Sequence, residues 1–140
     1  MKKTPPTSDK KWHVLIAEDD LKTRAQLLRA LHGMAEVTTT DNGDEALKIY
    51  FKTLKKKKAF DFILLDVLMP VVSGFEVLKA IREHEESSLL KKRSLILMVT
   101  AYKDSLMARY NMGWDHFISK PIEADKLIAK MKILSSPKSY

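Results

Sequence analysis

Short apolar runs alternate with stretches of helical spacing along almost the whole chain, and this alternation limits the fold more than any other feature. Three runs consist mainly of β-branched or bulky apolar residues and are each closed by a polar residue, as is typical of strands buried on both faces. They are Val14 to Ala17, Phe62 to Leu65 and Leu95 to Val99. Two weaker candidates, Glu36 to Thr40 and His116 to Ser119, mix polar with apolar residues, which favours strands at the edges of a sheet.

Each predicted strand is followed by a segment in which apolar residues recur at helical spacing. The five helical segments are Leu21 to Leu31, Ala46 to Leu54, Phe75 to Arg82, Leu106 to Met112 and Leu127 to Leu134. The alternation predicts an α/β fold, a single doubly wound (βα)5 domain with a parallel five-stranded sheet. Because the mixed strands belong at the rims, the expected strand order is the flavodoxin-like 2-1-3-4-5.

The length of 140 residues corresponds to one domain. We expect a flexible basic tail over residues 1–10, the folded domain over residues 11–134 and a short tail over residues 135–140, with no second output domain. A hydrophobic fraction of 45% supplies a core and argues against disorder. The sequence has no cysteine, no secretory signal and no apolar run long enough to span a bilayer, so we expect a cytoplasmic protein without membrane contact.

The net charge is +7, from 25 basic and 18 acidic residues. Much of the excess positive charge lies in the leading tail, between Lys52 and Lys58, and near the C-terminus. This distribution favours lysines that are solvated at the chain ends and at the end of a helix over lysines that line a nucleic-acid groove. An alternative interpretation is that the run from Lys52 to Lys58 is a docking patch for an acidic protein or nucleic acid.

Polar and charged residues follow the predicted strands at their carboxyl ends, where open parallel sheets bind ligands. They are Glu18, Asp19 and Asp20 after the first strand, Asp66 after the third, Thr100 after the fourth, and Lys120, followed by Pro121, after the fifth. Carboxylates held close together repel one another unless a cation joins them, and oxygen ligands point to a hard ion such as Mg²⁺. An Asp carboxylate is also a candidate acceptor of a phosphoryl group. We expect Asp20 to cap the first helix and Pro121 to begin the last one.

Four fragments together resemble the receiver domain of two-component response regulators, CheY-like proteins of signal transduction. They are VLIAEDD, FDFILLDVLMPVVSGFEVL, MVTA and FISKP, and the resemblance runs from about Lys11 to Leu134. It implies a phosphoprotein whose Asp66 takes a phosphoryl group from a histidine kinase or from a phosphotransfer protein of a phosphorelay. Glu18, Asp19, Asp66 and the backbone carbonyl of Leu68 would hold Mg²⁺.

The same resemblance implies that Thr100 and Lys120 contact the phosphoryl oxygens and that Thr100 and Phe117 form the switch. The switch would change the face made by the fourth helix, fifth strand and fifth helix, which binds an unknown downstream protein or a second copy of the chain. A receiver of this kind is a signalling switch with self-catalysed phosphotransfer and autodephosphorylation, not a turnover enzyme.

Five positions depart from the family pattern. Glu18 stands in place of the more frequent Asp, Phe117 in place of Tyr, and Ser73 in place of Asp, while Leu68 and Tyr102 are apolar and bulky beside the phosphoacceptor. We hypothesise that Leu68 and Tyr102 restrict the attacking water and lengthen the lifetime of the phosphorylated form.

Three other functions remain as alternatives. An aspartyl phosphatase of the haloacid-dehalogenase type requires a second Asp two residues after the nucleophile, but Leu68 occupies that position after Asp66. A flavodoxin-like electron carrier requires a hydroxyl-rich phosphate-binding loop after the first strand, but the carboxylates of Glu18 to Asp20 occupy that position. A nucleic-acid module would rest on the net charge alone.

Overall fold

The computed structural model describes residues 10–88, 93–102 and 112–136. Five parallel strands form one sheet in the order β2-β1-β3-β4-β5, as the sequence predicts. The strands are β1 (Trp12–Ala17), β2 (Ala35–Thr40), β3 (Phe62–Asp66), β4 (Leu95–Thr100) and β5 (His116–Ser119). The helices are α1 (Leu21–Leu31), α2 (Gly43–Lys55), α3 (Gly74–Ser87) and α4 (Ala124–Ser135).

Most predicted elements coincide with observed ones to within a few residues. Except for Met112, the predicted helix from Leu106 to Met112 lies outside the described residues, as do most of the two predicted tails. The expectation that Pro121 begins the last helix is wrong, because that helix begins at Ala124. Within the described ranges, every helix falls short of the length and apolar character that crossing a bilayer requires.

The core lies in two layers, one on each face of the sheet. Successive strand residues point to opposite faces, so Leu15 and Ala17 join one layer while Val14 and Ile16 join the other. The buried residues of α2 and α3 belong to the first layer, and those of α1 and α4 belong to the second. Because β1, β3 and β4 are covered on both sides, their runs are continuously apolar, which is the pattern seen in the sequence.

Side-chain caps fix where the helices begin near the carboxyl edge of the sheet. Asp20 accepts a hydrogen bond from the Thr23 amide at 2.9 Å, which confirms its predicted capping role. Ser73 and Glu76 form a reciprocal capping box at the start of α3, which gives Ser73 a local function at its divergent position.

Gly74, the first residue of α3, allows that helix to begin against the end of β3. A Cβ atom there would collide with the backbone carbonyl of Asp66. The absence of a side chain at this position therefore sets how closely α3 approaches the residue that ends β3.

A buried arginine joins α3 to the starts of β4 and β5. The Arg82 guanidinium donates to Glu85 Oε1 at 2.7 Å, to the Ser94 carbonyl at 2.9 Å, to the Gly113 carbonyl at 2.8 Å and to Asp115 Oδ2 at 2.7 Å. Glu85 in turn accepts from the Ser94 amide at 3.0 Å. This network connects α3 to the residues just before β4 and β5, which are distant from each other in the sequence.

Candidate functional site

The register of the sheet brings the predicted site residues together at one edge. Ala17 of β1 pairs with Leu65 of β3, so the next residues, Glu18 and Asp66, emerge side by side. Thr100 of β4 pairs with Ser119 of β5, and Lys120 follows directly. Because all strands are parallel, these groups share the carboxyl edge of the sheet, as expected from the sequence.

Three carboxylates form a compact group at this edge. One oxygen each of Glu18, Asp19 and Asp66 lies within 4.8 Å of the others. Glu18 is fully buried and Asp66 is only 4% exposed, whereas Asp19 faces solvent. The arrangement combines two carboxylates held rigidly in the fold with one at the surface.

Lys120 is the cation that faces this group. Its Nζ donates to Glu18 Oε2 at 3.1 Å and to Asp66 Oδ1 at 3.4 Å. The Lys120 side chain is 20% exposed, so both ion pairs are shielded from bulk solvent. One ammonium therefore balances only part of the negative charge of three carboxylates.

The second oxygen of Glu18 needs a further partner. Glu18 Oε1 is buried and has no hydrogen-bond partner among the described residues. A buried carboxylate oxygen without a partner carries a large desolvation penalty, which a bound cation removes. An oxygen-only donor set with few protein carboxylates suits a hard ion such as Mg²⁺, so the residues present fit this metal.

Burial and crowding raise the pKa of two carboxyl groups. Burial, followed by the hydrogen-bonding and charge interactions with Glu18, raises the pKa of Asp66 to about 6. Burial and the neighbouring Asp66 also raise the pKa of Asp19. Although its own burial acts in the opposite direction, the carboxylates of Glu18 and Asp66 raise the pKa of Lys120. The site therefore favours a bound proton or a cation next to Asp66.

A small cavity opens beside Asp66. Its volume is about 150 Å³, and its lining residues are Asp19, Asp66, Val67, Leu68, Thr100, Ala101, Tyr102 and Lys120. The Leu68 amide donates to Asp66 Oδ1 at 3.3 Å, which orients the carboxylate. The Thr100 hydroxyl oxygen accepts from the Tyr102 amide at 2.8 Å. The cavity thus presents a carboxylate, a hydroxyl and an ammonium in a space large enough for a small anion.

Phe117 is not among the lining residues of this cavity. It pairs with Met98, which is two residues before Thr100 on β4, so Phe117 and Thr100 belong to the same face of the sheet. Phe117 is half-buried and packs against the same apolar layer as Tyr102. The proposed switch residues are therefore neighbours through the packing of one face.

Arg24 also contributes to the site, although it belongs to none of the motifs in the sequence. Its Nη1 donates to the Glu18 carbonyl at 2.8 Å and so holds the segment after β1. Arg24 lies in the first turns of α1, and no spacing in the sequence indicates its contact with a backbone carbonyl.

The chain belongs to the response regulator receiver domain family. The model of that family, described as "Response regulator receiver domain", matches residues 14–132. Family membership supports the predicted two-component, CheY-like class over the phosphatase and electron-carrier alternatives.

Two curated relatives illustrate the range of proteins with this domain. Hybrid signal transduction histidine kinase B of Dictyostelium discoideum is 33% identical over 137 residues, covering 89% of this chain and 7% of the relative. Cell cycle response regulator CtrA of Brucella ovis is 34% identical over 119 residues, covering 84% of this chain and 47% of the relative. The chain therefore spans less than half the length of each of these two relatives.

Solved structures of receiver domains have the same fold. The chemotaxis protein CheY4 of Vibrio cholerae is 28% identical with a TM-score of 0.72, and the match covers 89% of this chain and 98% of that one. The receiver domain of the histidine kinase CKI1 from Arabidopsis thaliana, complexed with Mg²⁺ and BeF3⁻, is also 28% identical with a TM-score of 0.72. That match covers 87% of this chain and 90% of the other.

Proposed function

We propose that Asp66 accepts a phosphoryl group from a histidine kinase or a phosphotransfer protein in a Mg²⁺-dependent reaction. The observation that supports this most directly is the convergence of Asp66, Asp19 and Lys120 at one small cavity, together with the buried Glu18 that contacts Lys120. The protein then acts as a phosphorylation-controlled signalling switch. Because the chain spans only part of its relatives, the proposal concerns the receiver domain, residues 11–134, acting in the cytoplasm with its phosphoryl donor.

Glu18, Asp19, Asp66 and the backbone carbonyl of Leu68 are the proposed holders of Mg²⁺. The unpartnered Oε1 of Glu18 and the uncompensated charge of the three carboxylates support this assignment. Glu18 is longer than the Asp more frequent at this position, and its buried carboxylate still lies within the group. When bound, the ion would neutralise and orient the phosphoryl group.

The protein side of the transfer requires a nucleophile and hydrogen-bond donors for the phosphoryl oxygens. A carboxylate oxygen of Asp66 forms the bond to phosphorus while the bond from phosphorus to the donor's imidazole nitrogen breaks and leaves its electron pair on nitrogen. The Lys120 ammonium and the Thr100 hydroxyl donate to the phosphoryl oxygens. Such a step depends on positioning and charge neutralisation, so no further acid or base is needed.

The switch would link the phosphoryl group to packing on one face of the sheet. In the described state the Thr100 hydroxyl oxygen accepts from the Tyr102 amide, and turning that hydroxyl toward phosphate changes the space next to Phe117. A groove of about 440 Å³ runs beside β5 and α4, and Phe117 is among its lining residues. We propose that the face formed by β5, α4 and the helix predicted from Leu106 to Met112 binds a downstream protein or a second copy of the chain.

Phosphorylation with acetyl phosphate tests the proposal. We expect the native protein to be labelled in the presence of Mg²⁺ and not in the presence of a chelator, and Asp66→Asn to remain unlabelled under both conditions. Asp125→Asn, which changes an exposed Asp in the first turn of α4, is the matched control and should be labelled like the native protein. Labelling of Asp66→Asn at the native level would contradict the proposal.

The lifetime of the phosphorylated form is a separate prediction. Leu68 is 63% exposed at the mouth of the cavity and Tyr102 lines it, so both stand where a water molecule would approach. We expect Leu68→Asn and Tyr102→Glu to speed autodephosphorylation about tenfold, equivalent to about 1.4 kcal/mol in the barrier. The decay of label after removal of acetyl phosphate measures this rate, and an unchanged rate in both variants would refute the hypothesis.

A further inference from the structure

A second concave surface lies at the opposite edge of the sheet, where the strands begin. It is a groove of about 1030 Å³ between the starts of β1, β3 and β4 and the end of α4. Trp12, at the start of β1, and Glu18, directly after its end, are six positions apart, which places this groove about 20 Å from the carboxylate group. The groove is therefore separate from the proposed phosphorylation site, and we call it the basal groove.

The floor of the basal groove is apolar. Trp12, Leu95 and Leu134 line it, and all three are half-buried and pack against the core layer that α1 and α4 cover. The Trp12 ring contacts the buried Phe62 ring edge-on, with ring centroids 5.2 Å apart. A rigid aromatic and aliphatic floor of this kind offers a place for a large apolar side chain.

The rim of the basal groove is cationic. Lys10, Lys11, Arg93 and Lys132 are exposed and line it, while Asp61 is the single carboxylate among the described lining residues. One Asp61 oxygen, Oδ2, accepts from the His13 amide at 2.7 Å, so this carboxylate is partly engaged within the fold. Because Arg93 also contacts Glu85 Oε1 at 3.6 Å, the three lysines supply most of the surplus positive charge. This surplus around an apolar floor is complementary to a ligand that is both acidic and apolar.

We propose that the basal groove docks an acidic segment of a partner protein, which places a large apolar side chain against Trp12, Leu95 and Leu134. The shape favours this occupant over two other anionic partners. A membrane surface is flat and a nucleic-acid duplex is recognised chiefly through its phosphates, so neither makes use of a concave apolar floor. The interaction would act beyond the phosphorylation reaction, as a second attachment point on the receiver.

Fluorescence anisotropy with a labelled synthetic peptide of glutamate and leucine tests the proposal. We expect Lys11→Glu and Lys132→Glu each to weaken binding about tenfold, because each reverses a rim charge, and the binding to weaken further as salt is added. Lys79→Glu is the matched control, since Lys79 is exposed on α3 outside the groove, and it should bind like the native protein. Both rim variants should be labelled by acetyl phosphate as the native protein is.

Two control peptides separate the acidic contribution from the apolar one. A peptide with glutamine in place of glutamate and a peptide with alanine in place of leucine should each bind at least about tenfold more weakly. The proposal is overturned if the glutamate–leucine peptide does not bind, if the rim variants bind it as the native protein does, or if the alanine peptide binds equally well. Tighter binding of a DNA duplex or of anionic vesicles, lost in the same rim variants, would assign the groove to those partners instead.

Discussion

Replacing Arg82 with alanine is expected to lower the free energy of unfolding by about 3 kcal/mol, which is the largest effect on stability that we expect from a single substitution in this protein. The substitution removes the guanidinium that contacts Glu85 and Asp115, whose carboxylates are 4% and 21% exposed. Glu85 would keep only the longer contact of 3.6 Å with the exposed Arg93, and a buried carboxylate that loses its main cation is strongly destabilising. The Asp115 Oδ2 also accepts from the Ile96 amide at 2.8 Å, so the loss extends to the start of β4.

Urea denaturation followed by circular dichroism measures this effect as a shift of the unfolding midpoint. Arg29→Ala is the matched control, because Arg29 lies in the exposed last turn of α1, and we expect a change of less than about 0.5 kcal/mol. Arg82→Lys should recover only part of the loss, since an ammonium cannot reproduce the forked geometry of a guanidinium. Equal stability of Arg82→Ala and Arg29→Ala would show that the network contributes little.

Asp66→Asn is expected to stabilise the metal-free protein at neutral pH, while it abolishes phosphorylation. The folded-state pKa of Asp66 is raised from 3.8 to about 6, so its folded form holds the proton more tightly than the unfolded chain does. A raised pKa contributes stability that is fully present below about pH 4 and is lost as the pH rises through about 6. The free energy of unfolding of the native protein should therefore be lower than that of Asp66→Asn by up to about 3 kcal/mol at pH 7, and the two values should differ little near pH 4.

The same measurement with Mg²⁺ provides the second half of the test. A cation that binds only the folded native protein raises the free energy of unfolding of that protein as the cation concentration rises. The difference in the free energy of unfolding between Asp66→Asn and the native protein should therefore close as Mg²⁺ is added. Asp125→Asn should follow the native protein at every pH and Mg²⁺ concentration. A constant difference between native protein and Asp66→Asn from pH 4 to pH 7 would mean that Asp66 does not titrate in this range.

The architecture and the composition of the site could be predicted because both follow from periodicity along the chain. Apolar runs such as Phe62 to Leu65 identify strands covered on both faces, and the parallel order then brings the residues after each strand to one edge. The convergence of Glu18, Asp66 and Lys120 needed no knowledge of side-chain conformation, only of register.

Other features depend on three-dimensional contacts that no local pattern encodes. Arg82 looks like one more helical residue in the sequence, and its role arises from carbonyls and carboxylates that the folded chain brings to it. The unpartnered oxygen of Glu18 depends on which of two oxygens meets Lys120, which spacing cannot reveal. The positive φ of Val71, 68°, is equally unexpected, since a β-branched residue rarely adopts it.

Lys120 follows β5 directly, so the proposed phosphotransfer depends on a strand at the edge of the sheet. In the described structure β5 has four residues, pairs with β4 as the edge of the sheet, and is less buried than the three central strands. Short edge elements open locally at lower free energy than the centre of a domain. Fraying of β5 alone would withdraw the ammonium and leave the acidic residues in place, so a receiver with an open edge would be folded by most measures and yet unable to hold phosphate.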